Sequence, residues 1–308
     1  MIVSLANTGE VLSIVNRPGN RPSHEGATEQ LDLAILLCRE AGFRRISLRG
    51  DTDFTQTKQL DAWDAEGVTF LFGIDAMPNL KAIAEGRPAS DWAELERPPP
   101  YKAKGKPRAR PERVKDRIVR ERGYETLTRT REDVTVVAYR PTACQESYRL
   151  VIVRQPIMVE KGRRRLLDEI RYRFYLTNDR QGTGRELVFQ ANDRCDQENL
   201  IAQLKGGVHA LRAAVDNLVS NWAYMVMTAL GWNLKAWLAL SVPEHPRHQA
   251  AHREQKRQLL RMEFKRFVNA IILMPCQIAR GGHRLIYRLL SWNEWQGVLL
   301  RVVHALRC

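Results

Sequence analysis

The stretch RRISLRGDTDF, residues 44–54, decides how the fold is read. Residues 45–48 predict a short strand, and Asp51 follows directly after it. A helix predicted over residues 55–66 and a strand predicted over residues 68–74 come next, which is the pattern of an α/β unit. Because open α/β sheets present functional groups at the carboxyl ends of their strands, Asp51 is a candidate catalytic residue.

Upstream of this stretch, two short β-rich runs at residues 2–6 and 11–16 flank the turn signal Asn7-Thr8-Gly9. A loop follows, and residues 29–41 have helical periodicity that ends at Gly42. The start of the chain therefore predicts a hairpin that feeds the α/β unit. The first aspartate of the chain, Asp32, lies inside the helical pattern rather than after a strand.

Downstream, the character of the sequence changes twice. Residues 97–123 hold eleven Lys/Arg against three Asp/Glu, and three β-like runs follow at 134–139, 148–153 and 170–176. After Gly184 helical spacing dominates, with helices predicted over 193–206, 211–240 and 255–278 and a polar loop over 243–257. We therefore expect an N-terminal α/β part (1–75), a basic β-rich insertion (76–184) and a largely helical part (185–308).

The charge of the chain points to a polyanionic partner. There are 49 Lys+Arg against 35 Asp+Glu, a formal net charge of +14, so nucleic acid is the expected partner. The alternative is a basic protein that its charge keeps soluble. Five scattered cysteines argue against a disulfide framework or a structural zinc site, and the N-terminus does not have the pattern of a signal peptide.

The most apolar stretch, residues 222–242, contains Asn233 and Lys235, so it predicts a buried helix rather than a membrane span. No membrane partner is expected. Together with the missing signal peptide, this stretch predicts a soluble cytoplasmic protein.

A second carboxylate stands out in RCDQENLIAQLK, residues 194–205. Arg194 and Glu198 are four apart, and Lys205 lies seven beyond Glu198, so the three residues share one helix face. A carboxylate flanked by cations suits metal coordination beside a DNA backbone. A solvated helix face held by ion pairs between residues four apart is the alternative, and spacing alone favours it.

These two stretches resemble known motifs of bacterial DDE transposases. RGDTDF (49–54) is similar to their second-aspartate motif, and residues 194–205 are similar to the Y-R-E-K signature, spaced Tyr-x2-Arg-x3-Glu-x6-Lys. The resemblance extends to VSLANTGE and NRPGNRPSHEGA near the start, to FYLTND (174–179), and to SNWAYMVM and LKAWLAL within residues 220–240. It covers nearly the whole chain.

The resemblance implies a mixed α/β fold: an RNase H-like core, a β-rich insertion and a largely helical C-terminal region. It makes Asp51 and Glu198 catalytic carboxylates and ligands of a two-metal Mg²⁺ site that cleaves and transfers DNA strands. Arg194 and Lys205 would contact phosphates near the transposon end. The implied partners are transposon ends and target DNA of an insertion sequence, bound by a homodimer associated with the nucleoid.

Two departures from the family pattern affect the expected activity. Ala191 stands where the signature has Tyr, and the family's first aspartate is expected upstream of the opening hairpin. We therefore predict an N-terminally truncated transposase that is inactive by itself. The alternatives are a non-catalytic remnant that binds DNA or dimerises, and a truncated product that does not fold stably.

Four further features carry more than one interpretation. Asp53 either assists Asp51 or, as its residue type favours, caps the following helix. Three histidines are expected in a solvated polar loop rather than a zinc site, and three tryptophans in the core rather than in a base-stacking platform. The basic run is either disordered surface or a DNA-backbone contact. The residues concerned are His245, His248 and His252; Trp222, Trp232 and Trp237; and Lys102, Lys104, Lys106, Arg108 and Arg110.

Overall fold

The computed structural model describes residues 1–97, 114–123, 125–129, 131–161, 164–193 and 195–306. The chain divides into two compact units. The terminal unit comprises Met1–Ala34 and Cys195–Cys308, and the central unit comprises Ile35–Arg194. The three-part division into residues 1–75, 76–184 and 185–308 concerns sequence character and stays a prediction.

The central unit contains most of the strands. They are β3 (Ser47–Gly50), β4 (Thr69–Ile74), β5 (Ala93–Glu94), β6 (Glu125–Arg129), β7 (Asp133–Tyr139), β8 (Tyr148–Lys161) and β9 (Arg164–Thr177). Its helices are α2 (Leu60–Ala65), α3 (Pro78–Glu85), α4 (Val114–Glu121) and α5 (Gly184–Asn192), with short 3₁₀ helices at Thr52–Phe54 and Ala89–Asp91. Helix α1 (Ala27–Glu40) contains the point where the chain passes from one unit to the other.

These strands form one mixed sheet in the order β3-β4-β9-β8-β7-β5, with β6 also paired to β8. Strands β3 and β4 are parallel, and the other pairs are antiparallel. The strands predicted for the insertion therefore continue the sheet that starts with β3 and β4. This mixed α/β architecture is consistent with the expected RNase H-like core.

Strand β4 lies at the centre of the packing because its sequence TFLFGI is almost unbroken in apolar character. Five of its six residues are buried, as expected for a strand covered on both faces. Phe70 packs edge-on against Tyr148 of β8 at a ring-centroid distance of 5.2 Å. The Tyr148 hydroxyl in turn donates to the Asp61 carboxylate at 2.5 Å, which ties α2 to the sheet.

The terminal unit joins the two ends of the chain. It contains strands β1 (Ile2–Ser4) and β2 (Val11–Ile14), helices α6 (Cys195–Gly206), α7 (Leu218–Ser241), α8 (Gln249–Arg261), α9 (Phe264–Phe267) and α10 (Gln296–Ala305), and strands β10 (Cys276–Gly281) and β11 (Arg284–Leu289). A 3₁₀ turn at Pro246–His248 precedes α8, and a π-helical turn at Val268–Ile272 follows α9. Strands β1 and β2 form one antiparallel hairpin, and β10 and β11 form another.

Two buried clusters stabilise the terminal unit. One joins β2 to α6 and α7 through Val11, Ile14, Leu200, Leu204 and Trp232. The other joins the end of α7 to α8, α9 and α10, and its residues include Ala239, Leu259, Phe267, Trp295 and Val302. Helices α6, α7 and α10 contribute apolar residues spaced three or four apart, as amphipathic packing requires.

Three predictions about this unit are wrong. The segment predicted as a polar loop at 243–257 contains most of α8, and the helix predicted over 255–278 ends at Arg261, with β10 beginning at Cys276. The segment predicted as a buried helix, residues 222–242, is not buried throughout, because Val226, Met227 and Leu234 are exposed. The turn Gly282-His283 joins two strands in a region where the sequence predicted one helix.

Candidate functional site

Asp51 lies directly after β3, at the carboxyl end of the parallel pair β3–β4. It is the N-cap of the 3₁₀ helix Thr52–Phe54, and its side chain accepts a hydrogen bond from the backbone N–H of Asp53 at 3.3 Å. Its backbone carbonyl accepts from the N–H of Phe54 at 3.0 Å. The carboxylate is partly exposed, so a ligand in solvent can reach it.

Two glycines allow the chain to turn at this point. A Cβ on Gly50 would lie 2.9 Å from the Phe72 ring, and a Cβ on Gly73 would lie 3.1 Å from the Thr52 side chain. The turn that carries Asp51 therefore lies directly against β4, where only hydrogen leaves enough room. The Thr55 hydroxyl donates to the Gly73 carbonyl and fixes the end of the turn.

The arginine of the RGDTDF stretch supports the same region. The Arg49 guanidinium donates to the Gln190 carbonyl at 3.1 Å and lies 3.6 Å from the Asp193 carboxylate. Asp193 is the C-cap of α5, so Arg49 joins β3 to the end of that helix. Arg49 thus has a positioning contact within the central unit.

The interpretation of Asp53 as a helix cap is wrong. The 3₁₀ helix starts at Thr52, so Asp53 lies inside its first turn, and the cap is Asp51. Helix α2 starts later than predicted, at Leu60, and its N-cap is Gln59. The two aspartates are too close in sequence for residue type alone to select the cap.

A further carboxylate stands at the same sheet edge. Asp75 follows β4 directly and is exposed, just as Asp51 follows β3. The pairing of Gly50 with Phe72 places the end of β4 two residues beyond the end of β3. We did not select Asp75 from the sequence, although its position after the second parallel strand is the signal that identifies it.

Glu198 and Lys205 lie in α6 of the terminal unit, and both are exposed. Leu200 and Leu204, on the other side of the helix, are buried against β2. The Gln197 amide donates to the Ile2 carbonyl at 3.0 Å and fixes the first turn of α6 against β1. The helix therefore presents Glu198 and Lys205 together on its solvent face.

The remaining residues named from the sequence lie in other elements or outside the described part of the chain. Ala191, at the expected tyrosine position, is buried in α5, and Arg194 lies outside the described residues. Asp32 is exposed in α1, as its helical pattern indicated. The basic residues Lys102, Lys104, Lys106, Arg108 and Arg110 also lie outside the described residues.

The three histidines are structural partners of the chain around α8. His245 Nδ1 accepts from the Arg247 N–H at 3.2 Å, and His252 Nδ1 accepts from the His245 N–H at 3.0 Å. His252 is buried in α8, which differs from the predicted solvated loop. Burial lowers the pKa of its imidazole, which favours the neutral form that accepts this hydrogen bond.

The tryptophans of α7 fasten the β1–β2 hairpin. Trp232 is buried, as predicted, and its indole N–H donates to the Gly9 carbonyl at 2.7 Å. Trp222 and Trp237 are 41% and 44% exposed, so the prediction that they are core residues is wrong. Their indole N–H groups donate to the Ile14 carbonyl at 2.6 Å and to the Glu10 carboxylate at 2.5 Å.

The described residues contain no group of three or more His, Cys, Asp or Glu side chains placed to hold a metal ion. Among them, no single helix is long and apolar enough to cross a membrane; α7 and the segment Pro246–Arg261 reach that length and composition only together, across a bend of 106°.

The mixed sheet of the central unit, with Asp51 after a parallel strand, is consistent with an RNase H-like core. Residues 2–265 match the family described as Transposase DDE domain group 1, and the chain belongs to that family. No match was found among curated proteins.

Proposed function

We propose that this chain acts in metal-dependent DNA strand cleavage and strand transfer at the ends of an insertion sequence. The observation that carries the proposal is the family match over residues 2–265, which includes both candidate carboxylates, Asp51 and Glu198. The net charge of +14 supports a polyanionic substrate. Transposon ends and target DNA are the proposed partners, held by a homodimer.

In this proposal Asp51 and Glu198 supply oxygen ligands for Mg²⁺, which prefers carboxylates and water. The exposure of both side chains fits a role that needs access to DNA phosphate. When bound, a pair of such ions activates the attacking oxygen and stabilises the leaving one. Asp51 is held by its cap position, and Glu198 by the packing of the opposite face of α6.

The basic side chains have a positioning role in the proposal. Lys205 lies on the same face of α6 as Glu198, so its ammonium would contact a phosphate beside the carboxylate. Arg194 is assigned the same role by its position in the signature. Lys102, Lys104, Lys106, Arg108 and Arg110 would contact the DNA backbone without reading its sequence.

We propose further that this polypeptide binds DNA without cutting it. The two-metal reaction of this family requires three carboxylates, and the family motifs assign two of them here, Asp51 and Glu198. The second candidate function is therefore a DNA-binding or dimerising remnant. It keeps the basic surface and the helical region and has no chemistry of its own.

Binding to a labelled 30-base-pair duplex, followed by fluorescence anisotropy at several salt concentrations, tests the action on DNA. We expect the logarithm of the affinity to fall linearly with the logarithm of salt, because phosphate contacts release counterions. Absence of binding at low salt would refute the proposed function in both forms. Mg²⁺-dependent nicking by the chain alone would refute the non-catalytic form only.

Manganese binding in the presence of duplex, measured by electron paramagnetic resonance, tests the two carboxylates without requiring activity. Asp51→Asn and Glu198→Gln should each weaken Mn²⁺ binding, because each removes a charged oxygen ligand. Asp216→Asn and Glu254→Gln are matched controls at exposed positions and should leave it unchanged. Equal binding by all four variants would remove Asp51 and Glu198 from the metal site.

A further inference from the structure

The β10–β11 hairpin lies beyond residues 2–265, which match the family. Every residue of β11 is exposed, and so is every residue of β10 except the half-buried Ala279. Its loop is Gly282-His283, with Gly282 at a φ of +55°. A glycine with positive φ at the first central position is the pattern of a tight type II′ hairpin turn.

The strand register gives this hairpin two different faces. Residues that pair across an antiparallel ladder point to the same side, and successive residues point to opposite sides. Arg288 pairs with Gln277 and Arg284 pairs with Gly281, so both arginines lie on one face. The pair Ala279 and Ile286 lies between them. This is the basic face.

The other face is apolar apart from its tip. Ile278 pairs with Tyr287, Cys276 with Leu289, and Arg280 with Leu285. Residues 276–292 contain three arginines and His283, and no acidic residue. The hairpin is therefore a cationic ribbon that no carboxylate of its own neutralises.

We propose that the basic face of the β10–β11 hairpin binds duplex DNA, with Arg284 and Arg288 on its phosphates. This inference rests on the proposed action on DNA and adds a second contact surface outside the matched family region. Charge complementarity selects the occupant, because a polyanion neutralises the ribbon and an apolar or cationic partner does not.

The dimensions of the ribbon suit a duplex. Two paired strands lie about 5 Å apart, and a two-stranded ribbon enters a major groove about 12 Å wide. Arg284 and Arg288 are four residues apart along a strand, about 13 Å at 3.3 Å per residue. That span follows the long axis of the ribbon, so the two guanidiniums lie along one wall of the groove, with Ile286 between them opposite Ala279.

The test compares two variants that each lose two positive charges from exposed positions of the terminal unit. Arg284→Gln/Arg288→Gln removes the basic face. The matched control is Arg247→Gln/Arg261→Gln, with Arg247 in the 3₁₀ turn before α8 and Arg261 at the end of α8. Duplex affinity of the full chain is measured by anisotropy as a function of salt. Thermal melting checks that both variants fold, and we expect little change because all four side chains are exposed.

For the hairpin variant we expect the salt slope of log affinity to fall by about 1.8, because each lost phosphate contact removes about 0.9. Affinity near 0.1 M salt should fall by one to two orders of magnitude, roughly, on the same basis. The control variant, Arg247→Gln/Arg261→Gln, should keep more of the wild-type salt slope than the hairpin variant does. Equal slopes for both variants and wild type would overturn the inference and leave the proposed function intact.

Two further results are distinguishable. If the wild-type chain binds no duplex, the proposed function fails together with this inference. If the hairpin variant binds like wild type, while Tyr287→Ser abolishes self-association in sedimentation, the hairpin contacts a second copy through its apolar face. That result also overturns the inference.

Discussion

The terminal unit contains two hairpins, one packed against helices and the other exposed to solvent. The β1–β2 hairpin has Val11 and Ile14 buried against α6 and α7, whereas both strands of β10–β11 are almost wholly exposed. A lone two-stranded hairpin is marginal in water and depends on its neighbours. The first hairpin is therefore explained by packing, and the side chains of the second require another explanation.

The attachment of β1–β2 is made by polar groups of α7. The Asn233 amide both donates to and accepts from the backbone of Val11, at 2.8 Å in each case. Trp222 and Trp232 add indole donors to backbone carbonyls, at Ile14 and Gly9. These contacts satisfy backbone groups along the outer edge of β2, where an exposed strand would otherwise be open to wrong pairing.

Replacing the buried Trp232 should give the largest loss of stability among the variants that test this comparison. Trp232→Ala loses the hydrogen bond to Gly9, the contact with the Phe264 ring at 6.2 Å and the ring beneath the Lys235 ammonium. We expect the free energy of unfolding to fall by about 3–5 kcal/mol, the usual range for large core truncations. Urea unfolding followed by circular dichroism measures it.

Trp292→Ala is the matched control beside β11, because that side chain is 80% exposed. It should change stability by less than about 0.5 kcal/mol, as surface substitutions do. Similar losses for the two variants would show that the second hairpin also depends on packing.

The next largest effect is expected from Lys235, whose ionisation should make the free energy of unfolding depend on pH. Its ammonium is buried and donates to the Leu260 and Met262 carbonyls, at 2.9 and 2.6 Å, at the C-terminal end of α8. Burial lowers the pKa of Lys235 from 10.5 to about 8. Between these values the folded protein holds fewer protons than the unfolded chain, so stability rises with pH.

Comparison with Lys235→Met isolates this contribution, since the other titrating groups are common to both proteins. The stability of the wild type relative to the variant should increase by about 3 kcal/mol from pH 8 to pH 10.5, at about 1.4 kcal/mol per pH unit. Urea unfolding at a series of pH values measures the difference. A difference that does not change with pH would mean that the carbonyls keep Lys235 fully charged.

Local pattern was enough to predict the two strands β3 and β4 and the position of Asp51 after the first of them. Strands predicted at 45–48 and 68–74 correspond to β3 at Ser47–Gly50 and β4 at Thr69–Ile74. The prediction was possible because β4 is a short apolar run bounded by polar residues, which is a signal carried by neighbouring residues. The cap formed by Asp51 depends on where the 3₁₀ helix starts, and residue type did not decide between Asp51 and Asp53.

Contacts between distant residues could not be predicted in the same way. Trp222 donates to a carbonyl 208 positions away, and no periodicity within α7 indicates that partner. The apolar spacing around Ile271 and Ile278 suited a helix as well as a strand, so β10 was missed. Whether Asp51 and Glu198 form one site stays a prediction, because they belong to different units.

The smallest effect is expected from the apolar face of the exposed hairpin. Ile278 and Leu285 are 58% and 55% exposed, so replacing both by Ser removes little buried surface. We expect Ile278→Ser/Leu285→Ser to change the free energy of unfolding by less than about 0.5 kcal/mol per site. Val11→Ser/Ile14→Ser is the matched control, and it should cost several-fold more because those side chains are buried. Urea unfolding of the two variants at equal protein concentration compares them directly. A large loss from the first variant would place the apolar face in a folded interface, and packing would then explain both hairpins.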